Sequence, residues 1–350
     1  MAGDRLWIVT GATGLLGGTL LCELLNRGER VRIVWRDRRR LQALPLTDYP
    51  GLVEDARADL RDASAVEQAL AHEPGQEVVV LHCASVISIY PEGEPGMVES
   101  NVDGTSNVIE ACRAAGVRRL VYVSSMEAIE IPPEGTTLRE AREFSAGAVD
   151  GAYAKTKAEA TRRVLAASDL DVVVVHPTGI LGPGPGGACH VRELVRSLAA
   201  GSMPVLLPGG FDIVDVRDVA AGVLLAAEKG RRGECYLLTG EYASLGRLAR
   251  IVKGVVGSRV PPTLPMWIAQ AAAPVTEAAY RWAGQTPLLT RYAVRMLASS
   301  REVSAEKAWS ELGYVSRPLV ESVRDTIGWL EEQERTALRV RHSPENRPRS

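Results

Sequence analysis

The chain has 350 residues, with 41 Lys+Arg against 43 Asp+Glu and a formal net charge of −2. That length can bury a sizeable core in one or two domains, and the charge provides no global pull toward nucleic acid. The five cysteines, Cys22, Cys83, Cys112, Cys189 and Cys235, are odd in number and scattered, with no CxxC pair and no His at ligand spacing, which argues against a disulfide framework and against bound metal. The N-terminal MAGDRLWIVTGATG lacks the basic and apolar regions of a signal peptide. No apolar run approaches the ~18 residues of a membrane span, so a cytoplasmic protein is expected.

In chain order, strands are predicted over 6–10, 30–35, 78–82, 120–124 and 172–176, alternating with helices over 15–27, 63–71, 97–115 and 153–167. Each strand is a nearly continuous apolar run, as a parallel sheet covered on both faces requires. Gly28 and Gly116 stand just past two of the helices, where a left-handed C-cap belongs. The pattern predicts an α/β fold of the Rossmann type, a doubly wound parallel sheet. Beyond Thr178 the texture changes to the GPGPGG loop at 182–187 and recurrent Pro, Gly and Trp through 200–290. A smaller, discontinuous C-terminal substrate-binding lobe is expected there. The dinucleotide domain spans 1–178, with a return to the sheet within about 211–240 through segments 211–216 and 234–238. The lobe takes 179–210 and 241–330, and the polar stretch at 331–350 reads as a flexible tail.

The first strand runs into LWIVTGATGLLGG, with Gly11, Gly14 and Gly17 at three-residue spacing before a helix. Glycines suit a tight turn whose backbone approaches a pyrophosphate, with the N–H groups around Thr13, Leu15 and Leu16 at the helix start facing the anion. The end of the second strand decides which nicotinamide dinucleotide is held. It offers Arg36, followed by Arg38, Arg39 and Arg40, where a carboxylate would bind the ribose of NAD. A guanidinium pairs with a 2′-phosphate, so NADP(H) is preferred. NAD(H) stays open if Asp37 takes the ribose and the arginines form a solvated turn. Asp59, in ADLRD after the third strand position, is a candidate partner for the adenine amino group or a surface carboxylate.

Tyr153 and Lys157 in GAYAKTKAEA lie four residues apart on a predicted helix and so share a face. A phenol acting as general acid/base must be brought from a pKa near 10 to near 7, which needs roughly 4 kcal/mol of preference for the phenolate, and an adjacent ammonium supplies the right sign of field. Ser124 and Ser125 close the fourth strand at its carboxyl end, where open parallel sheets bind ligands. Either hydroxyl could donate to a substrate carbonyl, or close the strand as turn chemistry. Asn101, in NVDGT, lies on a helix passing behind this site, as a functional group or as a helix-packing hydrogen bond.

TGATGLLG, the SS pair, NVDGT and YAKTK together resemble the extended short-chain dehydrogenase/reductases over about residues 5–330. PTGILGPG with Thr178 where nucleotide-sugar epimerases carry Asn, FDIVDVRDVAAG and LGYVSRPLVESVRDTIGWL are most similar to the dihydroflavonol-reductase and 3β-hydroxysteroid-dehydrogenase branch. The resemblance implies that Ser125, the last of the Ser run, orients a carbonyl. It further implies that Tyr153 passes the proton, that Lys157 also holds the nicotinamide ribose, and that Asn101 supports Lys157 through water. Leu60, Cys83, Ala84, Ser85 and Pro177 would line the dinucleotide, and Val86, Ile87, Met126, Thr178 and Phe211 the substrate. His176, where the family usually has Arg, and Met126-Glu127 after the Ser pair depart from the pattern. Relatives often dimerise through helices around the Tyr-bearing segment, so a homodimer is a family expectation.

The expected function is an NADP(H)-dependent oxidoreductase interconverting a ketone and a secondary alcohol on a bulky, largely apolar small molecule of flavonoid, steroid or terpenoid type. The alternatives are a nucleotide-sugar epimerase or dehydratase with tightly bound NAD, and a non-catalytic NADP-binding redox sensor. The apolar segment 264–284 reads as a lid over the cleft or, alternatively, as a weak membrane-surface contact.

Overall fold

A computed structural model describes residues 5–268 and 302–341, apart from 43, 45, 89, 134 and 188, together with the isolated positions 271 and 297. The first half builds β1 (Arg5–Thr10), α1 (Leu15–Asn26), β2 (Arg30–Trp35), α2 (Arg38–Leu41), β3 (Val53–Arg57), α3 (Ala63–Leu70) and β4 (Glu77–His82). A π-helical turn (Glu99–Asp103), α4 (Gly104–Ala115), β5 (Arg119–Val123), α5 (Ala152–Ala166) and β6 (Val172–Pro177) follow. Then come β7 (Gly179–Leu181), α6 (His190–Ala199), β8 (Gly210–Asp215), α7 (Val216–Lys229), β9 (Cys235–Leu238), β10 (Glu241–Ser244) and α8 (Leu245–Val256). A long C-terminal helix, Leu319–Arg341, ends the described chain.

Seven strands form one sheet in the order β3-β2-β1-β4-β5-β6-β9, and every pairing in it is parallel. Alternate strand residues separate into two cores. Leu6, Ile8, Val78, Val80, Leu120, Tyr122, Val172 and Val174 pack with side chains of α3, α4 and α5 on one face. Val9, Ile33, Val79, Leu81, Val121, Val123, Val173 and Val175 pack with α1 and α7 on the other. Burial on both sides is why these strands are apolar throughout.

A three-stranded sheet, β10-β8-β7, carries α6, α8 and the C-terminal helix through a third core that includes Leu181, Val195, Ile213, Leu248 and Val323. Two expectations need correction, and one strand lies outside those predicted. Of the two segments expected to rejoin the main sheet, only Cys235–Leu238 does, with Leu237 opposite His176. Gly210–Asp215 pairs instead with β7 and β10, because apolar periodicity reports burial and carries no information about which sheet a strand joins. Strand β3, VEDAR, has no apolar run at all. It is an edge strand held by Arg30 and Arg32 on Glu54. Finally, the last helix continues to Arg341, through the first part of the segment read as a tail. Its LEEQERTALRVR is rich in strong helix formers and carries an Arg335–Glu332 pair at 3.2 Å.

Candidate active site

The turn after β1 is built backbone against backbone. Gly11 has φ +73, and a Cβ there would lie 2.6 Å from the Ala84 nitrogen. A Cβ on Gly17 would collide with the Gly11 carbonyl. Gly14 donates to the Gly11 oxygen at 2.9 Å and then serves as the N-cap of α1 with no side-chain cap and no acidic residue in the first turn. The first-turn N–H groups, at Leu15, Leu16 and Gly17, therefore keep their positive end for an anion, while the leucine side chains are buried. This cradle fits a dinucleotide pyrophosphate: the glycines let the turn close backbone on backbone, and the first-turn N–H groups have no side-chain cap to occupy them.

At the end of β2, Arg36 is exposed and its Nη1 lies 3.8 Å from Asp59. Asp37 is committed elsewhere: its carboxylate caps α2 by accepting from the Arg39 N–H at 2.9 Å. Asp59 accepts from Arg61 at 2.6 and 3.0 Å, and that guanidinium holds its pKa down at about 2, so it is an ionised acceptor. The Leu60 carbonyl accepts from Asn107 at 2.8 Å.

The end of β4 is braced from both sides. His82 is fully buried, its Nδ1 2.7 Å from Thr10 Oγ1 and its Nε2 3.0 Å from Thr105 Oγ1, and burial brings its pKa to about 3. It is a neutral strut. Cys83 donates its N–H to the Thr10 carbonyl, and burial pushes its thiol up to about 12, so it is protonated and unreactive. Ala84 N–H reaches Thr10 Oγ1 at 3.3 Å. The Ser85 hydroxyl is buried with no hydrogen-bond partner among the described residues.

Asn101 sits in the π-helical turn. Its Oδ1 accepts from Val86 N–H at 2.7 Å, and its Nδ2 donates to the Val86 carbonyl at 2.9 Å and to Thr156 Oγ1 at 3.1 Å. The amide staples the chain after β4 to α5 from within the π-helical turn.

On α5, Tyr153 and Lys157 are both buried, at 9% and 2% exposure. Lys157 Nζ donates to the Val123 carbonyl at 2.8 Å and lies over the Tyr122 ring, 5.0 Å from its centroid. Burial lowers its pKa to about 7. The two serines separate cleanly. Thr161 donates to the Lys157 carbonyl at 2.7 Å, so the 2.7 Å contact between the buried Ser124 hydroxyl and Thr161 has Ser124 as its donor. Ser124 is used up inside the core. Ser125 Oγ accepts from Glu127 N–H at 3.2 Å and retains its own proton to donate. His176 lies 2.9 Å from the Ser125 carbonyl through Nδ1, and since a carbonyl only accepts, Nδ1 carries the hydrogen. Its ring stacks on Phe144 at 5.2 Å, and burial brings its pKa to about 4.

Val86 and Ile87 follow β4, and Met126 follows β5, so they border the carboxyl end of the sheet, with Ile87 55% exposed. Pro177 is a buried β6 residue opposite Leu238. Thr178 is buried and donates to Asp212 Oδ1 at 2.5 Å, and the same oxygen accepts from Gly240 N–H at 2.8 Å. A buried carboxylate needs those donors, which is why the threonine turns inward. Phe211 packs its ring over Gly179 and joins the third core. Of segment 264–284, only 264–268 and 271 are among the described residues. There Leu264 bonds the Leu206 carbonyl and Trp267 is 70% exposed. Residues missed from the sequence include Thr156 and Thr161, which sit three and four positions beyond Tyr153 and Lys157 on the same face of α5 and could have been found by that spacing.

A parallel sheet in this order with an uncapped glycine turn after its first strand defines a Rossmann-type α/β fold. The chain belongs to the NAD dependent epimerase/dehydratase family, whose model matches residues 7–238. It is 34% identical over 334 residues to sterol demethylase protein B of Methylococcus capsulatus, covering 93% of this chain and 98% of that one. It is 30% identical to a putative dihydroflavonol 4-reductase of Synechocystis, covering 93% and 94%. The crystal structure of gox2253 superposes with a TM-score of 0.79 at 32% identity, over 95% of this chain and 99% of that one. Among the described residues no helix is long and apolar enough to cross a membrane.

Proposed function

We propose that the chain is an NADP(H)-dependent oxidoreductase that interconverts a ketone and a secondary alcohol on a bulky, largely apolar substrate of steroid, flavonoid or terpenoid type. The observation that carries this is the division of labour at the end of β5: Ser124 is consumed by Thr161, while Ser125 keeps a donor two residues beyond the Val123 carbonyl that Lys157 holds. When bound, the nicotinamide supplies or accepts the hydride. Ser125 donates to the substrate oxygen and orients it. In reduction Tyr153 gives its phenolic proton to that oxygen, and in oxidation it takes the proton back. The Lys157 ammonium favours the phenolate in either direction. Arg36, exposed at the end of β2, favours NADP(H) because a guanidinium there pairs with a 2′-phosphate. The relatives named for sterol demethylation and dihydroflavonol reduction support a polycyclic substrate.

The test is NADPH absorbance with a panel of polycyclic ketones, and NADP⁺ reduction with the corresponding alcohols. Turnover is expected in the wild type and a loss of at least ~100-fold in Tyr153→Phe, with NADPH binding retained. A purified chain that carries NAD and shows no net cofactor turnover would overturn the proposal in favour of an epimerase or dehydratase.

A further inference from the structure

Arg192, on α6, is 4% exposed. Its Nε and Nη2 donate to the Gly182 carbonyl at 3.2 and 2.8 Å, Nη2 reaches the Gly184 carbonyl at 3.3 Å, and the guanidinium lies 4.3 Å from the Trp329 ring centroid. Among the described residues no carboxylate lies within ion-pair distance of it, although a buried cation ordinarily requires one. The 182–187 loop that it holds rests directly on the glycine turn. Gly187 N–H donates to the Thr13 carbonyl at 3.2 Å. Gly186 has φ +96, and a Cβ there would sit 2.5 Å from the Gly14 oxygen. A Cβ on Gly184 would sit 3.1 Å from Thr19 Oγ1, and one on Gly18 would sit 3.1 Å from the Pro185 carbonyl.

We propose that Arg192 is a positioning residue for the dinucleotide pyrophosphate: it ties the 182–187 strap onto Thr13 and Gly14 and so presets the first-turn N–H groups of α1. This rests on the proposed dinucleotide-binding function. The GPGPGG run is then a second glycine-rich segment of the same site, glycine-rich because its backbone touches the backbone of the first. Through Trp329, the C-terminal helix of the small lobe becomes part of the grip on the cofactor.

The experiment measures NADPH dissociation constants on the full chain by energy transfer from tryptophan to the nicotinamide, alongside kcat at saturating NADPH. Arg192→Met and Gly186→Ala are expected to weaken NADPH binding by at least ~10-fold while kcat at saturation stays within ~3-fold, with Arg192→Lys between them and the wild type. If Arg192→Met does not fold, Gly186→Ala and Arg192→Lys carry the comparison. NADPH affinity within ~2-fold of wild type in folded variants, or a fall in kcat with unchanged affinity, overturns the role. A wild type that binds no NADPH overturns the underlying dinucleotide reading instead, and is recognised before any variant is made.

Discussion

Replacing Lys157 with Met should stabilise the ligand-free chain while abolishing its acid–base chemistry. Burial holds an ammonium that ordinarily titrates at 10.5 down to about 7, and at pH values below 7 that corresponds to about 5 kcal/mol of unfavourable burial. The sign follows from proton counting. Between pH 7 and 10.5 the unfolded chain binds a proton that the folded chain has released, so wild-type stability rises with pH by about 1.4 kcal/mol per pH unit. Met keeps the length and apolar bulk but leaves the Val123 carbonyl without its donor, a cost of about 1–2 kcal/mol that does not vary with pH. His82 and His176, with pKa values of about 3 and 4, and Cys83, at about 12, titrate outside the window. Urea unfolding followed by tryptophan fluorescence should find the Met variant more stable by about 3 kcal/mol at pH 6, with the gap narrowing by about 3 kcal/mol by pH 9. Stability curves that run parallel over that range would refute the burial argument.

Ser125→Ala should lower kcat by about 100-fold with little change in stability, whereas Ser124→Ala should keep most of kcat and lose about 1 kcal/mol, because it deletes a buried donor to Thr161. The opposite partition, measured by turnover and thermal melting, would exchange their roles. Arg36→Ala should weaken NADPH binding about 10-fold and leave NADH within 2-fold; equal losses would mean that the guanidinium does not read the 2′-phosphate. His176→Leu removes the donor to the Ser125 carbonyl and should lower kcat about 10-fold with unchanged NADPH affinity. His176→Asn, which keeps a donor near the Nδ1 position, should recover most of it, and identical losses in the two variants would show only a packing role.

The local elements of this protein were legible in the sequence wherever a single segment carries its own physical reason. Val172 to Val175 had to lie in a doubly covered strand because every side chain is apolar, and Gly11, Gly14 and Gly17 had to form a close-approach turn because any Cβ there meets backbone. Tyr153 and Lys157 share a face of α5 by helical spacing alone. Tertiary structure decided everything that depends on a distant partner. Thr161 ties the Ser124 hydroxyl into the core, while Ser125 Oγ accepts only from the Glu127 N–H among the described residues. Asp212 accepts from the Thr178 hydroxyl, and Val86 and Thr156 claim the Asn101 amide. The bonds of Ser124, Thr178 and Asn101 each join residues 15 to 55 positions apart. Periodicity reports how much of a residue is buried, but the atom it bonds is set only when the sheets and helices pack.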